Sequence, residues 1–308
     1  VYERQKENFM AYDSYDLMKA TDDHIIRPRF QTERERRFYP SEASVQFRDE
    51  HGDLTSHGGC LRSSYFRISG EFEGTPYEAR SRWIFKQGDG VEEMLIREWK
   101  EMGIWVDNSV KFIDKENNIS GELDAILVEP PTGQLYGVEV KSFYGYFAET
   151  QLFGNRKVKA FPKMPQLLQT LVYLNHFEDR LPFFRMAYFA RDSVKRKTFK
   201  IEFEKEGEVK FPKVDGEVVR SFTMGDVIDR YKTLRNHVES KTVPPPDYEL
   251  NYPEAKIRDF YGKKKISETK FQKWQSGKLK KHELVGDWQC SYCKFKEVCW
   301  GNSQQLLV

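Results

Sequence analysis

The chain has 308 residues, 50 Lys and Arg against 48 Asp and Glu, a formal net charge of +2 and 15% aromatic residues. That balance excludes a global polycation, so any contact with nucleic acid must come from local basic patches. No apolar run approaches the ~20 residues needed to span a bilayer. The opening VYERQKENFMAYDSYDL lacks a signal peptide's apolar core, so the expectation is a soluble, intracellular (cytoplasmic) protein with no membrane partner.

In chain order, residues 1–40 read as a polar N-terminal arm with Arg27, Arg29, Arg34, Arg36 and Arg37 and a short helix around Tyr15 to Ala20. Pro40-Ser41-Glu42 marks a helix start. Asp49 to Gly59 reads as a loop leading to Cys60, and Leu61 to Arg67 as a helix ending near Gly70. Trp83 to Gly103 carries the first long helix, with Val91, Leu95 and Met102 at helical spacing. Gly88 and Gly90 weaken it and predict close approach of another group. A strand around Ile104 to Ile113 follows.

Gly121 to Ser142, GELDAILVEPPTGQLYGVEVKS, predicts two strands joined by a Pro-Pro-Thr-Gly turn. Asp124 interrupts the apolar run of the first strand. Glu139 and Lys141, two apart, share one face of the second. An E-x-K pair alone suits a cross-strand ion pair on a solvated face, but Asp124 in an apolar run needs a partner or a metal. Together the groups predict a small acidic pocket with a lysine at its lip, suited to Mg²⁺.

After Ser142 comes an aromatic, irregular stretch with Arg156, Lys157, Lys159 and Lys163, suited to lying against a polyanion or to a solvated loop. Pro165 to Phe177 reads as a helix, with Gln166, Gln169 and Tyr173 on one face. Strands at Phe184 to Ala190 and Thr198 to Phe203 and a helix from Met224 to Ser240 follow. The basic run from Lys256 to Lys281 interleaves Phe271 and Trp274, and suits a DNA-facing patch or a solvated face equally.

Cys60 stands alone, whereas Cys290, Cys293 and Cys299 form C-x2-C-x5-C. In an intracellular protein such thiols serve a metal more often than a disulfide. Four thiolates suit zinc or an iron–sulfur cluster, and the one-plus-three grouping favours a cluster that ties the two ends of the chain together.

The order Gly88-x3-Glu92, Asp124, Glu139-x-Lys141 and Gln169-x3-Tyr173 resembles the PD-(D/E)XK nuclease superfamily in its RecB-like branch. The first helix position is often histidine there, and here it is Glu92. Cys60-Leu61-Arg62 with Tyr65, and Cys290, Cys293 and Cys299-Trp300, resemble the iron–sulfur staple of AddB-type and CRISPR-adaptation (Cas-four type) nucleases. The likeness runs from about Ser41 to Trp300. It implies an α/β fold, a central mixed β-sheet flanked by helices (a restriction-endonuclease-like nuclease core), with N- and C-terminal segments joined at the cluster. One integrated domain is expected: an arm (1–40), a cluster-binding segment (41–82), the nuclease core (83–205) and a C-terminal helical and cluster-binding segment (206–308).

The implied activity is a metal-dependent exonuclease on single-stranded DNA. Glu92, Asp124, Glu139 and the Val140 carbonyl would hold Mg²⁺ or Mn²⁺, Lys141 would act on water or transition-state charge, and Gln169 and Tyr173 would steady the site. Cys60, Cys290, Cys293 and Cys299 would hold a structural 4Fe-4S cluster, and Arg156, Lys157, Lys159 and Lys163 would contact DNA. Implied partners are a helicase or other recombination or CRISPR-adaptation proteins, since no G-x-x-x-x-G-K-[ST] loop is present. The rival readings are a catalytically silent DNA-binding scaffold of a recombination or spacer-acquisition complex, and a zinc-binding interaction protein.

Overall fold

The computed structural model describes residues 16–26, 37–279 and 285–301. Helix α1 (Leu17–Ile25) starts at Asp16, whose side chain accepts the Lys19 amide. This is the early helix, but it begins and ends later than the sequence predicts. Tyr15, Arg27, Arg29, Arg34 and Arg36 lie outside the described residues. After a 3-10 turn at Pro40–Glu42, β1 (Ser44–Arg48) pairs with β2 (Leu54–Gly58), so the second half of the stretch expected to be a loop, Asp49 to Gly59, is instead a strand of a hairpin. Helix α2 (Leu61–Ser69) stops at Gly70, which sits at φ 68°, the left-handed cap that glycine adopts without strain.

The long helix α3 (Ala79–Glu101) starts four residues before the expected Trp83. Then come β3 (Trp105–Asp114), β4 (Ile119–Glu129) and β5 (Gln134–Phe143). The irregular stretch after Ser142 is not irregular throughout: it forms α4 (Tyr146–Phe153) before α5 (Met164–Phe177). Strands β6 (Phe184–Ala190), β7 (Arg196–Glu206), β8 (Val209–Val214) and β9 (Glu217–Val218) complete the sheet. Helices α6 (Met224–Glu239), α7 (Glu254–Gly262), α8 (Glu268–Gln275), α9 (Trp288–Ser291) and α10 (Lys296–Trp300) close the described chain.

The fold is thus mixed α/β. Among the described residues seven strands lie in chain order, β3 to β9, and of these pairs only β5 with β6 is parallel. A parallel pair needs a crossover, and α4 and α5 provide it. The sheet carries a different core on each face. One packs Leu167, Leu168 and Leu171 of α5 against Phe184, Met186 and Tyr188. The other packs Val91, Leu95 and Trp99 of α3 against Ala125, Leu127, Val138 and Val140. A third, smaller core of Ile257, Ile266, Phe271 and Val285 holds α7 and α8 together. No helix among the described residues is long and apolar enough to cross a membrane.

Candidate active site

The site arises where β4 changes partners. Its last five residues pair with β5, the register ending at Ala125 opposite Val138. Its first residue instead bridges Phe38, whose amide donates to Asn118 C=O. Between those two contacts the edge from Gly121 to Asp124 has no strand beside it among the described residues. A buried backbone group left by such a gap needs another partner, and side chains supply it. The Val140 amide donates to Asp124 Oδ2 at 2.7 Å, and Tyr173 Oη donates to Glu122 C=O at 3.0 Å.

Asp124, Glu139 and Lys141 therefore face one another as the alternation predicts. Glu139 is 1% exposed, and Lys141 Nζ lies 2.5 Å from its Oε1. Gln169 of α5 donates to the same oxygen at 2.8 Å and also to Tyr173 Oη at 3.1 Å. Glu139 Oε2 is buried with no hydrogen-bond partner among the described residues. Burial pushes Glu139 up and Lys141 works against it. Burial, then the neighbouring Glu139, raises Asp124. Burial opposes the Lys141 charge, but Glu139 and Asp124 prevail and hold its ammonium above the ordinary value. Glu92, from α3 on the other side, is pushed to about 7 by burial and then by Asp124. Three carboxyls that all resist ionising around one ammonium form a centre starved of positive charge.

Among the described residues, no group of three or more His, Cys, Asp or Glu side chains is gathered tightly enough to hold a metal ion as it stands. The donor chemistry nevertheless fits a hard divalent cation, which prefers carboxylate and carbonyl oxygen, and the orphaned Glu139 Oε2 is an acceptor that such an ion would satisfy. Gly88 of α3 lies over β5, where an added Cβ would sit 3.7 Å from Ser142 Oγ. That is ordinary contact, and Gly90 has open space around it, so the close approach expected of these glycines is found at neither.

The four cysteines also meet. Cys60 at the start of α2 and Cys290, Cys293 and Cys299 line one cavity of about 250 Å³. Burial, then Cys60, pushes the Cys290 thiol up to about 12. Arg62 Nη1 donates to Cys299 Sγ at 3.6 Å and Cys293 Sγ to Ser63 Oγ at 3.7 Å. Asp247 anchors the start of α2, accepting the Leu61 amide at 2.7 Å and Arg230 Nη2 at 2.5 Å. Neither Asp247 nor Arg230 stands out in the sequence, since neither lies in a motif.

The four basic residues proposed for DNA do not behave alike. Arg156 and Lys157 are exposed. Lys159 is tied to Glu217 in an ion pair, and Lys163 is half-buried at the start of α5 with burial lowering its pKa. Lys159 thus already has an acidic neighbour, and Lys163 is the least exposed of the four. The basic run near the C-terminus is paired in part: Lys263 with Asp53 and Asp259, Lys265 with Asp49 and Asp53, Lys256 with Glu249. Lys280 and Lys281 lie outside the described residues.

No family model matches the chain, and no curated protein does. Among solved structures, the crystal structure of SSO0001 is similar at 14% identity and a TM-score of 0.40, with 92% of this chain and 93% of that one covered.

Proposed function

We propose that the chain is a metal-dependent DNA nuclease, an exonuclease acting on single-stranded DNA, with a structural 4Fe-4S cluster at the four cysteines. The observation that carries the reading is the buried, unpartnered Glu139 Oε2 beside Asp124, Lys141 and Glu92. Asp124 and Glu139 would hold Mg²⁺ or Mn²⁺, with Glu92 and the Val140 carbonyl completing the oxygen set. When bound, such an ion polarises a phosphoryl oxygen and lowers the pKa of water.

The protein's own groups do the rest. Lys141 sets a fixed ammonium where charge grows on the phosphate, in a site that excludes most water and so strengthens its effect. Gln169 holds Glu139 Oε1 in place, and Tyr173, itself tied to the Glu122 carbonyl, sets the orientation of Gln169. At the other site, the thiols of residues 290–299 and Cys60 would be joined through the cluster, fixing the C-terminal segment to the start of α2.

The test is degradation of end-labelled single-stranded DNA by anaerobically purified protein with Mn²⁺ or Mg²⁺, beside Asp124→Ala. Metal-dependent loss of label in the wild type alone supports the reading, and the label's position reports polarity. Equal cutting by Asp124→Ala moves the active site elsewhere. An inactive wild type that still binds DNA leaves the chain a silent scaffold.

A further inference from the structure

Helix α4 presents an aromatic surface that the fold does not use. Its sequence, YFAETQLF, is apolar on both sides, whereas a surface helix ordinarily turns a polar face outward. The inner side is accounted for: Leu152 is buried, Ala148 packs on the main core, and Phe153 meets Phe143 with ring centroids 6.2 Å apart. Outward, Tyr146 and Phe147 are 73% and 88% exposed, and Tyr144 in the preceding turn is 70% exposed. The Tyr146 and Phe147 rings meet edge-on at 5.9 Å. Single exposed apolar residues are ordinary, but three aromatic rings within four positions are a binding feature.

Position and charge together say what covers them. Strand β5 carries Glu139 and Lys141 and ends at Phe143. At a strand rise of about 3.3 Å per residue, the backbone of Tyr144 lies within about 10 Å of Lys141. The same segment continues to Arg156 and Lys157, which are exposed and make no ion pair among the described residues. Flat apolar rings at one end of a segment, exposed cations at the other and an acidic centre next to it match a ligand that carries π-faces on a polyanionic backbone. A duplex keeps its π-faces stacked inside, so the match is to an unpaired strand.

We propose that Tyr144, Tyr146 and Phe147 form a base-stacking platform that seats unpaired nucleotides beside the acidic centre, with Arg156 and Lys157 on their phosphates. The platform rests on the nuclease reading and adds to it the residues that recognise an unpaired strand.

The test compares the full chain with Tyr146→Ala/Phe147→Ala, by fluorescence anisotropy in EDTA with a labelled oligothymidylate and an abasic strand of equal length. The wild type binds the oligothymidylate more tightly than the abasic strand. The double variant loses that preference and binds the oligothymidylate about tenfold more weakly for each ring removed. Equal binding of the oligothymidylate by both proteins overturns the platform, as does a wild type indifferent to the missing bases. If the wild type sediments as a dimer and the variant as a monomer with unchanged DNA binding, the surface is a protein interface and the platform is again overturned. Should the double variant melt early, Phe147→Ala alone decides the comparison. Separately, hydrolysis of bis(p-nitrophenyl) phosphate by wild type with Mn²⁺ tests the acidic centre without bases. Failure there removes the nuclease reading, and the anisotropy comparison still judges the platform.

Discussion

The carboxylate of Asp124 takes the backbone amide of Val140 at 2.7 Å, which gives one side chain two duties. It closes the ladder where β4 and β5 part, and it points charge at Glu139. Substitution separates them. Asp124→Asn keeps an acceptor for the amide and removes the charge. It should cut single-stranded DNA at least about 10²-fold more slowly while melting no lower than wild type, because an amide there bears no cost of ionising in a buried site. Asp124→Ala should lose activity and also stability, by about 1–3 kcal/mol for the orphaned amide. End-label assays and thermal melts read both, and an Asn variant cutting at the wild-type rate would exclude Asp124 from the chemistry.

The acidic centre also sets a pH dependence. Burial, then Asp124, raises Glu92 from an ordinary 4.5 to about 7. The folded protein therefore binds more protons than the unfolded chain across that window. The stabilisation is present below about 4.5 and is lost as pH rises through 7. Asp124 and Glu139 shift in the same direction. The metal-free protein should melt at falling temperatures from about pH 4.5 to 7, and Glu92→Gln should flatten part of the fall. A bound cation displaces those protons, so half-saturation by Mn²⁺ should improve as pH rises, about tenfold per unit for each proton released. A metal affinity independent of pH would mean these carboxyls are not its ligands.

What the sequence made legible is what periodicity encodes. The alternation of β5 correctly puts Glu139 and Lys141 on one face, and the i, i+4 step puts Gln169 beside Tyr173. The gap beside Gly121 to Asp124 was not legible, because it depends on Phe38 bridging Ile119 from far away in the chain. Nor was the Glu122 carbonyl, a backbone group with no side-chain signature. Helix α4 was missed because its apolar residues surround it and leave no 3.6-residue pattern to find. The β1–β2 hairpin was missed because Gly52 and two histidines broke the alternation. In the basic run the charges were visible, but the acids that pair with Lys263 and Lys265, Asp49 and Asp53, lie about 200 residues earlier.

Gly137 lies in the middle of β5, where a Cβ would come within 2.3 Å of the Phe184 ring. Phe184 is fully buried and stacks on Tyr173 with centroids 6.5 Å apart, so it has nowhere to retreat without disturbing the group that orients Gln169. Gly137→Ala should cost about 1–3 kcal/mol by overpacking, read by denaturant titration, and should slow cleavage through Tyr173. Gly90→Ala, with open space around it, should be neutral or stabilising by up to about 1 kcal/mol, since alanine favours the helix. Equal effects at the two glycines would contradict the packing described for Phe184.

At the cysteine cavity the decisive contact is Arg62. Its Nη1 donates to Cys299 Sγ at 3.6 Å while its Nε is held by the Pro244 carbonyl at 2.7 Å, so the guanidinium is aimed by the backbone. Burial raises the Cys299 thiol and Arg62 opposes it, which makes the arginine a built-in counter-charge for thiolates. Reduction potentials of iron–sulfur clusters depend on hydrogen bonds to sulfur and on nearby charge. Arg62→Met keeps the stem packed and removes both. If the cavity holds a cluster, the anaerobically purified wild type is brown. Arg62→Met then stays brown but has a lower reduction potential and bleaches faster with chelator, and Cys299→Ser is colourless. Bleaching should also make Lys294 and Lys296 more open to trypsin, because the segment loses the cluster and keeps the packing of Phe295 on Phe66, at 5.6 Å between centroids, and the bond from the Thr75 amide to the Lys294 carbonyl. A colourless wild type carrying one zinc per chain would retire the cluster, and the potential shift assigned to Arg62 with it.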